Sequence, residues 1–314
     1  GSLYWLKGNY DSSETYYKKS LAIKKTLTDT LGIIKLYNNL GVLYKNIGNY
    51  DDAISFHQKA LQLAHKKASL RWEATILNYI GSTYLKLRKL DSALHYYHGS
   101  LKLRKELNTP ADISNSYNNI ALVYRSMEKY DSSLVFFNNS LELRKKMGNQ
   151  KLIANTYNNI GSTYWKMNQY DKALKNYLES LRIRTKINDQ DGIAASYNNI
   201  GSLYQAINNN KKALEYYKRS LKIKERIGNQ KDIAYTLHIL GNTYLRLNNF
   251  DQALEHYQRA LLIREDIGDK FYIAQSLHNI GLVYEKLKNK DQALEYLNDA
   301  LKLRKDIGDK TGLS

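Results

Sequence analysis

Apolar positions along this chain follow the period of an α-helix, and the whole pattern repeats every 40 residues. In residues 196–235, Tyr197, Ile200 and Tyr204 are three and four residues apart, so they share one face of a helix. Residues 213–227 show the same spacing and predict a second helix. Each 40-residue unit is therefore predicted to contain two helices.

Short turns are predicted between these helices. Residues 208–210 are three asparagines, and asparagine tolerates the left-handed backbone conformation that ends a helix. Gly228 is suited to end the second helix, and Asn229 is suited to cap the next one. Gly201 lacks a side chain, which lets paired helices approach closely. Each unit is thus predicted to be an antiparallel helical hairpin.

The repeat sets the predicted domain organisation, because a period held over many units is typical of a solenoid. We predict one all-α solenoid over residues 1–314, with a partial repeat at 1–30 and a truncated further helix starting at 311–314. Seven complete repeats are predicted between them: 31–70, 71–110, 111–150, 151–190, 191–230, 231–270 and 271–310. Neither end resembles a polar cap, so we expect a fragment of a longer protein. Gly1 and Ser2 are open to two interpretations, a cloning remnant or native sequence.

The unit resembles a tetratricopeptide repeat, which has an aromatic residue, Leu-Gly and Tyr on its first helix and Ala, an aromatic residue and Ala on its second. The matching residues are Tyr197, Ile200, Gly201, Tyr204, Ala213, Tyr217 and Ser220. The resemblance covers essentially the whole chain, although the unit has 40 residues instead of about 34 and lacks the family's proline. The longer form is similar to kinesin light chains, Pins-type adaptors and bacterial sensor proteins. The resemblance implies a right-handed superhelix whose first helices line a concave, peptide-binding groove.

Asparagines recur in the first helices, although asparagine is a poor helix former. Its amide donates and accepts hydrogen bonds, as an extended peptide backbone does. In kinesin light chain-like relatives such asparagines hold the peptide backbone, and the resemblance implies the same here. Two alternatives stay open, an asparagine ladder between neighbouring helices and a solvated surface. The predicted groove residues are Asn38, Asn39, Asn78, Asn118, Asn119, Asn158, Asn159, Asn198, Asn199, His238, His278, Asn279, Arg125, Lys166 and Arg246.

Charge indicates the class of partner. The chain has 48 Lys and Arg residues against 30 Asp and Glu, a net charge of +18, which attracts acidic peptides, nucleic acid or anionic membranes. Many cations lie on the second helices, where a solvated outer face explains them. The predicted groove also carries cations, which favours an acidic protein or peptide partner. Nucleic acid is less favoured, because no nucleic-acid-binding module is recognisable.

One cation recurs near the end of seven second helices and is replaced by Ala64 in the eighth. The seven are Lys24, Arg104, Arg144, Arg184, Lys224, Arg264 and Arg304. We interpret them as side chains that reach the last carbonyls of their own helices. A phosphate-binding ladder is the less favoured alternative.

Catalytic chemistry has no recognisable motif in this sequence. Glycine-rich phosphate loops, HExxH and nucleophile elbows are absent, and His95 with His98 lack an obvious third metal ligand. We therefore predict no enzyme activity, cofactor or metal. No cysteine and no long apolar run occurs, so disulfides and membrane insertion are not expected. The expected function is a peptide-binding module in the cytoplasm. The alternative is the sensing input of a bacterial histidine kinase or transcription regulator, which would include a periplasmic sensor region.

Overall fold

The computed structural model describes residues 1–6 and 8–309, and this part of the chain is helical without any strand. The predicted start of a further helix at 311–314 lies outside the described residues. The helices are α1 (Ser2–Leu6), α2 (Tyr10–Thr26), α3 (Thr30–Asn46), α4 (Tyr50–Lys66), α5 (Leu70–Lys86), α6 (Leu90–Glu106), α7 (Pro110–Ser126), α8 (Tyr130–Lys146), α9 (Gln150–Lys166), α10 (Tyr170–Lys186), α11 (Gln190–Ala206), α12 (Asn210–Ile227), α13 (Gln230–Arg246), α14 (Phe250–Ile267), α15 (Lys270–Lys286) and α16 (Lys290–Asp306).

These helices pack as successive hairpins, as the 40-residue pattern predicted. Two compact units make up the chain, residues 1–163 and 164–314. In the first unit, α3 packs on α4, α5 on α6 and α7 on α8; in the second, α11 packs on α12, α13 on α14 and α15 on α16. Second helices also pack on the first helix that follows, as α4 does on α5 and α6 on α7 in the first unit, and α12 on α13 and α14 on α15 in the second. The predicted tetratricopeptide-like, all-α solenoid is therefore confirmed.

The turns explain why the helices are so regular. A residue with positive φ recurs at 20-residue intervals, among them Asn208 at 60° and Gly228 at 82°. Asn209 and Asn229 then cap the next helices, each accepting a hydrogen bond from a backbone N–H three residues later. Both predicted turn types are confirmed. Ala68 adopts the same left-handed conformation, with φ 49°, so the turn after α4 keeps the geometry of the others.

Close contact between paired helices depends on a missing side chain, as predicted. A Cβ atom on Gly201 would lie 2.7 Å from Cε1 of Tyr217. Tyr217 is buried in the core, and its hydroxyl donates a hydrogen bond to Ser202 Oγ at 3.0 Å. The tyrosine ring thus fills the space that the glycine leaves, and its polar tip is satisfied on α11.

Candidate functional site on the first-helix face

Each unit has a first-helix face, formed by α3, α5, α7 and residues 150–163 of α9 in the first unit and by α11, α13 and α15 in the second. Neighbouring first helices touch directly. In the first unit α3 packs on α5, and α5 packs on α7. In the second unit Gln205 Nε2 donates to Thr243 Oγ1 at 3.1 Å, and Asn279 Nδ2 donates to Asn242 Oδ1 at 3.3 Å. Side chains one repeat apart therefore meet on this face.

An asparagine ladder crosses the first-helix face of the first unit. Asn119 Nδ2 donates to Asn78 Oδ1 at 2.9 Å, and Asn159 Nδ2 donates to Asn118 Oδ1 at 3.1 Å. In both pairs the donor lies 41 residues after the acceptor. The ladder named above as an alternative is thus present at these pairs. Each donor amide retains a second N–H, and contact between these amides and a peptide stays a prediction.

The second unit contains one such rung and one gap. Asn279 Nδ2 faces His238 Nε2 at 3.4 Å, so a histidine replaces the accepting asparagine. Ile239 occupies the position 41 residues after Asn198 and has no amide to donate. Asn198 is only 9% exposed, and its Oδ1 has no hydrogen-bond partner among the residues that the structure describes.

Asn38 forms a second gap, in the first unit. The residue 41 positions later is Tyr79. Asn38 is 5% exposed, and its Oδ1 also finds no partner within residues 1–6 and 8–309. The sequence had indicated both asparagines as groove residues, but only the packing shows that their carbonyl oxygens are left without a donor.

A cavity of about 240 Å³ lies beside Asn198. Its walls come from α11, from the end of α12 with the following turn and from the start of α13, and they include Asn198, Ser202, Lys224 and Tyr235. One repeat later, the corresponding cavity is lined by Arg264 but not by His238, the residue equivalent to Asn198. There His238 Nδ1 lies 3.3 Å from Arg264 Nη1. The His238 side chain, which is longer than that of Asn198, thus occupies the space that the cavity takes one repeat earlier.

The recurring cation of the second helices has a partner that the sequence did not suggest. Arg144 Nη1 donates to Leu152 O at 3.3 Å and to Thr156 Oγ1 at 2.7 Å, both on the following first helix. Arg104, Arg184, Lys224 and Arg264 make the same two contacts, eight and twelve residues onward.

The predicted contact of this cation with its own helix end is therefore wrong at these five positions. The cation joins one hairpin to the next, because its long side chain lies buried at their junction. A phosphate-binding ladder is not favoured either, since each of these five cations already donates to a carbonyl and to a hydroxyl oxygen of the following helix. Burial lowers the pKa of Arg144, and likewise of Arg264, to about 10.

At Ala64 the bond between the cation and the following first helix is replaced by an apolar contact. The residue twelve positions after Ala64 is Ile76, whereas the five bonded cations have Ser116, Thr156, Ser196, Thr236 and Ser276 at that spacing. Ala64 and Ile76 are both fully buried. The junction between a second helix and the following first helix is therefore filled in one of two ways. It contains either a cation bonded to a hydroxyl or an alanine packed with an isoleucine. This pairing was a sequence signal that could have revealed the contact.

The predicted groove cations differ in how firmly they are held. Arg125 Nη1 donates to Asn159 O at 3.3 Å, so this guanidinium is tied to the protein itself. A further cation at the end of α3, Lys45, donates from Nζ to Ser82 Oγ at 3.1 Å, and burial, helped by Lys86, lowers the pKa of Lys45. Lys166 and Arg246 are exposed and are therefore accessible to a ligand.

The buried histidines include His238, which the sequence indicated as a groove residue, and His57, which it did not indicate. His57 is fully buried, and neither ring nitrogen has a partner in the described part of the chain. Burial, reinforced by Lys45, lowers the pKa of His57 to about 3. His238, a predicted groove residue, is also buried, and its pKa falls to about 4 through burial and the nearby Arg264. The tyrosines aligned with His57 were the available signal for its burial.

Metal and membrane sites are not found among the described residues. No cluster of three or more His, Asp or Glu residues suited to a metal ion occurs there. His95 and His98 lie against the rings of Tyr96 and Phe136. No helix in that part of the chain has the length and apolar content needed to cross a bilayer.

Comparison with known structures shows the same fold. A Signal Transduction ATPase with Numerous Domains protein with a tetratricopeptide repeat sensor, from Pyrococcus horikoshii, has a TM-score of 0.71 and 16% identity, over 92% of this chain and 44% of that one. The present chain thus spans less than half of that protein. A Rap protein complexed with competence and sporulation factor has a TM-score of 0.61 and 15% identity, over 96% and 94%. The quorum sensor NprR from B. thuringiensis gives 0.64 and 16%, over 95% and 83%.

At these identities the likeness concerns the fold alone. No curated protein sequence matches the chain significantly. The family model of the tetratricopeptide repeat, however, matches residues 1–66, 72–146, 152–226 and 232–306. These segments cover most of the chain and coincide with the hairpins described above. The chain belongs to the tetratricopeptide repeat family.

Proposed function

We propose that this chain is a non-catalytic binding module that holds an extended, acidic peptide segment on its first-helix face. The observation that carries the proposal is the cavity beside Asn198. It opens between two first helices, and its wall contains a buried amide whose oxygen has no partner in the described chain. Buried polar groups are almost always hydrogen-bonded, and an unmet one costs about 1–3 kcal/mol. A bound segment would supply the missing bond.

Similar structures support a peptide as the partner. The Rap structure is a complex with competence and sporulation factor, and NprR is a quorum sensor. Both have the same arrangement of helical hairpins as this chain at low sequence identity. In the present protein the amides of Asn119 and Asn159 each have a second N–H beside the one that bonds within the ladder.

The charge of the chain supports an acidic segment. The net charge is +18, and exposed cations, including Lys166, Arg246 and Lys286, stand at the ends of the first helices. Long-range attraction would concentrate acidic segments at this face. Nucleic acid would respond to the same charge, so the test must separate the two.

The test is a selection of peptides from a randomised library on the purified chain, followed by affinity measurements on variants. We expect Arg246→Ala with Lys286→Ala to weaken a selected peptide about fivefold, since each exposed charge contributes up to ~1 kcal/mol. Lys211→Ala with Lys222→Ala, exposed on α12, is the matched control and should change affinity less than twofold. Equal losses from both pairs would indicate diffuse polyanion binding and contradict the proposal.

A second candidate function is the sensing input of a bacterial signalling protein, such as a histidine kinase or transcription regulator. The observation that favours it is the likeness to a tetratricopeptide repeat sensor. Both functions use the same face, so the full-length protein distinguishes them. A peptide that changes the activity of an attached output region would establish sensing, whereas a peptide that binds without such a change would leave the adaptor role.

A further inference from the structure

The gap in the asparagine ladder at Asn198 specifies the chemistry that would fill it. At Asn78 and Asn118 the side-chain oxygen accepts a hydrogen bond from a carboxamide of the next repeat, at 2.9 and 3.1 Å. At Asn198 the corresponding residue is Ile239, which donates nothing. The chain itself therefore shows which group completes this rung: a carboxamide N–H.

Of the two gaps, the one at Asn198 borders a cavity. The cavity beside Asn198 has a volume of about 240 Å³, below the ~300–1,000 Å³ of sites for drug-sized ligands, so it suits a single side chain. Asn38, at the other gap, is not in the wall of the neighbouring opening around Asn39 and Tyr79. The gap at Asn198 thus lies beside a cavity that a ligand side chain can enter.

Lys224 supplies the complementary donor. Its ammonium group bonds to Thr236 Oγ1 at 2.8 Å and more weakly to Asp232 O at 3.4 Å. An ammonium group has three protons, so one remains for a ligand oxygen. Lys224 lies in the cavity wall. The other four bonded cations are arginines, whose larger side chains would fill more of this space. The shorter side chains of Lys224 and Asn198 together leave the cavity open.

The charges around the cavity select against ions of either sign. Asp191 and Asp232 lie in its wall and would repel a carboxylate, as would the oxygen of Asn198. The Lys224 ammonium would repel a cation. A neutral carboxamide meets neither difficulty, because its oxygen can accept from Lys224 while its nitrogen donates to Asn198.

We propose that this cavity is a carboxamide-specific subsite, which binds a glutamine or asparagine side chain of the segment held on the first-helix face. The inference deepens the proposed function and rests on it for the identity of the segment. The exposed cations act on the net charge of the segment, whereas the cavity selects one neutral residue within it. The two requirements are compatible in an acidic segment that contains a glutamine.

The experiment compares two probes with identical backbones, N-acetyl-glutamine N-methylamide and N-acetyl-glutamate N-methylamide, at pH 7. Backbone amide NMR of the purified chain should show perturbations at Asn198, Ser202 and Tyr235 with the glutamine probe. A ligand of this size should bind in the millimolar range. We expect the glutamate probe to bind at least fivefold more weakly. Equal or tighter binding of the glutamate probe, or no perturbation by either probe, would overturn the proposal.

Ile239→Asn is the decisive variant, because it restores the rung within the protein. Its new amide should bond to Asn198, as Asn119 bonds to Asn78, and glutamine-probe affinity should fall at least tenfold. Ile239→Leu is the matched control: it keeps an apolar residue there and should bind the probe as the unaltered chain does. Unchanged binding by Ile239→Asn, with its helical fold verified by circular dichroism, would refute the site.

The two proposals fail separately. If library peptides bind the first-helix face but Ile239→Asn and Ile239→Leu bind them equally, the carboxamide subsite is wrong and the peptide-binding function stands. If the glutamine probe binds and loses affinity in Ile239→Asn while no library peptide binds, the subsite is supported and the peptide-binding function fails.

Discussion

Replacement of Arg144 by alanine should destabilise the junction between α8 and α9. Arg144 is buried and donates three hydrogen bonds, to Thr156 Oγ1 at 2.7 Å, to Asn115 Oδ1 at 2.9 Å and to Leu152 O at 3.3 Å. A hydrogen bond with a charged partner contributes about 1.5–3 kcal/mol. The two short ones therefore contribute ~3–6 kcal/mol, partly offset by the cost of desolvating the guanidinium, which the alanine variant avoids. We expect a net loss of about 3 kcal/mol.

The pair Ala64 and Ile76 provides the compensating change. Arg144→Ala with Thr156→Ile reproduces that apolar junction, and the added methyl groups should recover roughly 1–2 kcal/mol at about 0.8 kcal/mol per buried carbon. A double-mutant cycle should then give a coupling free energy of at least about 1 kcal/mol. Lys146→Ala is the control, because Lys146 is 68% exposed and forms only a surface ion pair with Glu142. It should cost less than about 0.5 kcal/mol.

Hydrogen exchange is the suitable assay, because repeat arrays unfold in parts and a single unfolding free energy is poorly defined. Opening free energies of amides in α8 and in residues 150–163 should fall in Arg144→Ala and partly recover in the double variant. Those in α3 and α4 should stay unchanged. Opening free energies within 0.5 kcal/mol of the unaltered chain, or a double variant equal to the sum of the single ones, would refute the reasoning.

Two further predictions concern His57 and the left-handed turns. The pKa of His57 in the folded chain is about 3, below the ordinary ~6.5. As the pH falls below about 6.5, the unfolded chain therefore takes up a proton that the folded chain does not. Stability then decreases by up to ~1.4 kcal/mol for each pH unit of acidification. His57→Phe should remove about 2 kcal/mol of the loss in the opening free energy of α4 amides between pH 7 and pH 5, measured by hydrogen exchange, whereas exposed His95→Gln should not; equal pH dependence in both variants would contradict this. Ala68 has a φ of 49° and Gly228 one of 82°, so Ala68→Gly should raise, and Gly228→Ala lower, the unfolding free energy by about 1 kcal/mol; a lower thermal midpoint for Ala68→Gly would count against it.

Local features of the fold were readable from the sequence because they depend on neighbours within a few residues. The helical period of Tyr197, Ile200 and Tyr204, the left-handed turns at Asn208 and Gly228 and the start of α7 at Pro110 all follow from backbone preferences and apolar spacing. The repeat then carried these features along the chain, including the close contact at Gly201. The sequence also placed the asparagines on the first helices, where the candidate site lies.

Tertiary structure decided which polar groups are satisfied and which are left open. Arg144 reaches Thr156 instead of the end of its own helix, and Asn119 bonds to Asn78, because stacked hairpins bring together residues that no local rule pairs. The Asn198 oxygen has no partner within the described residues, because Ile239 of the next repeat cannot donate. Whether an amide is bonded or available depends on the side chain that packs against it. In a stacked repeat that side chain comes from the neighbouring unit, about 40 residues away, beyond the reach of local sequence preference.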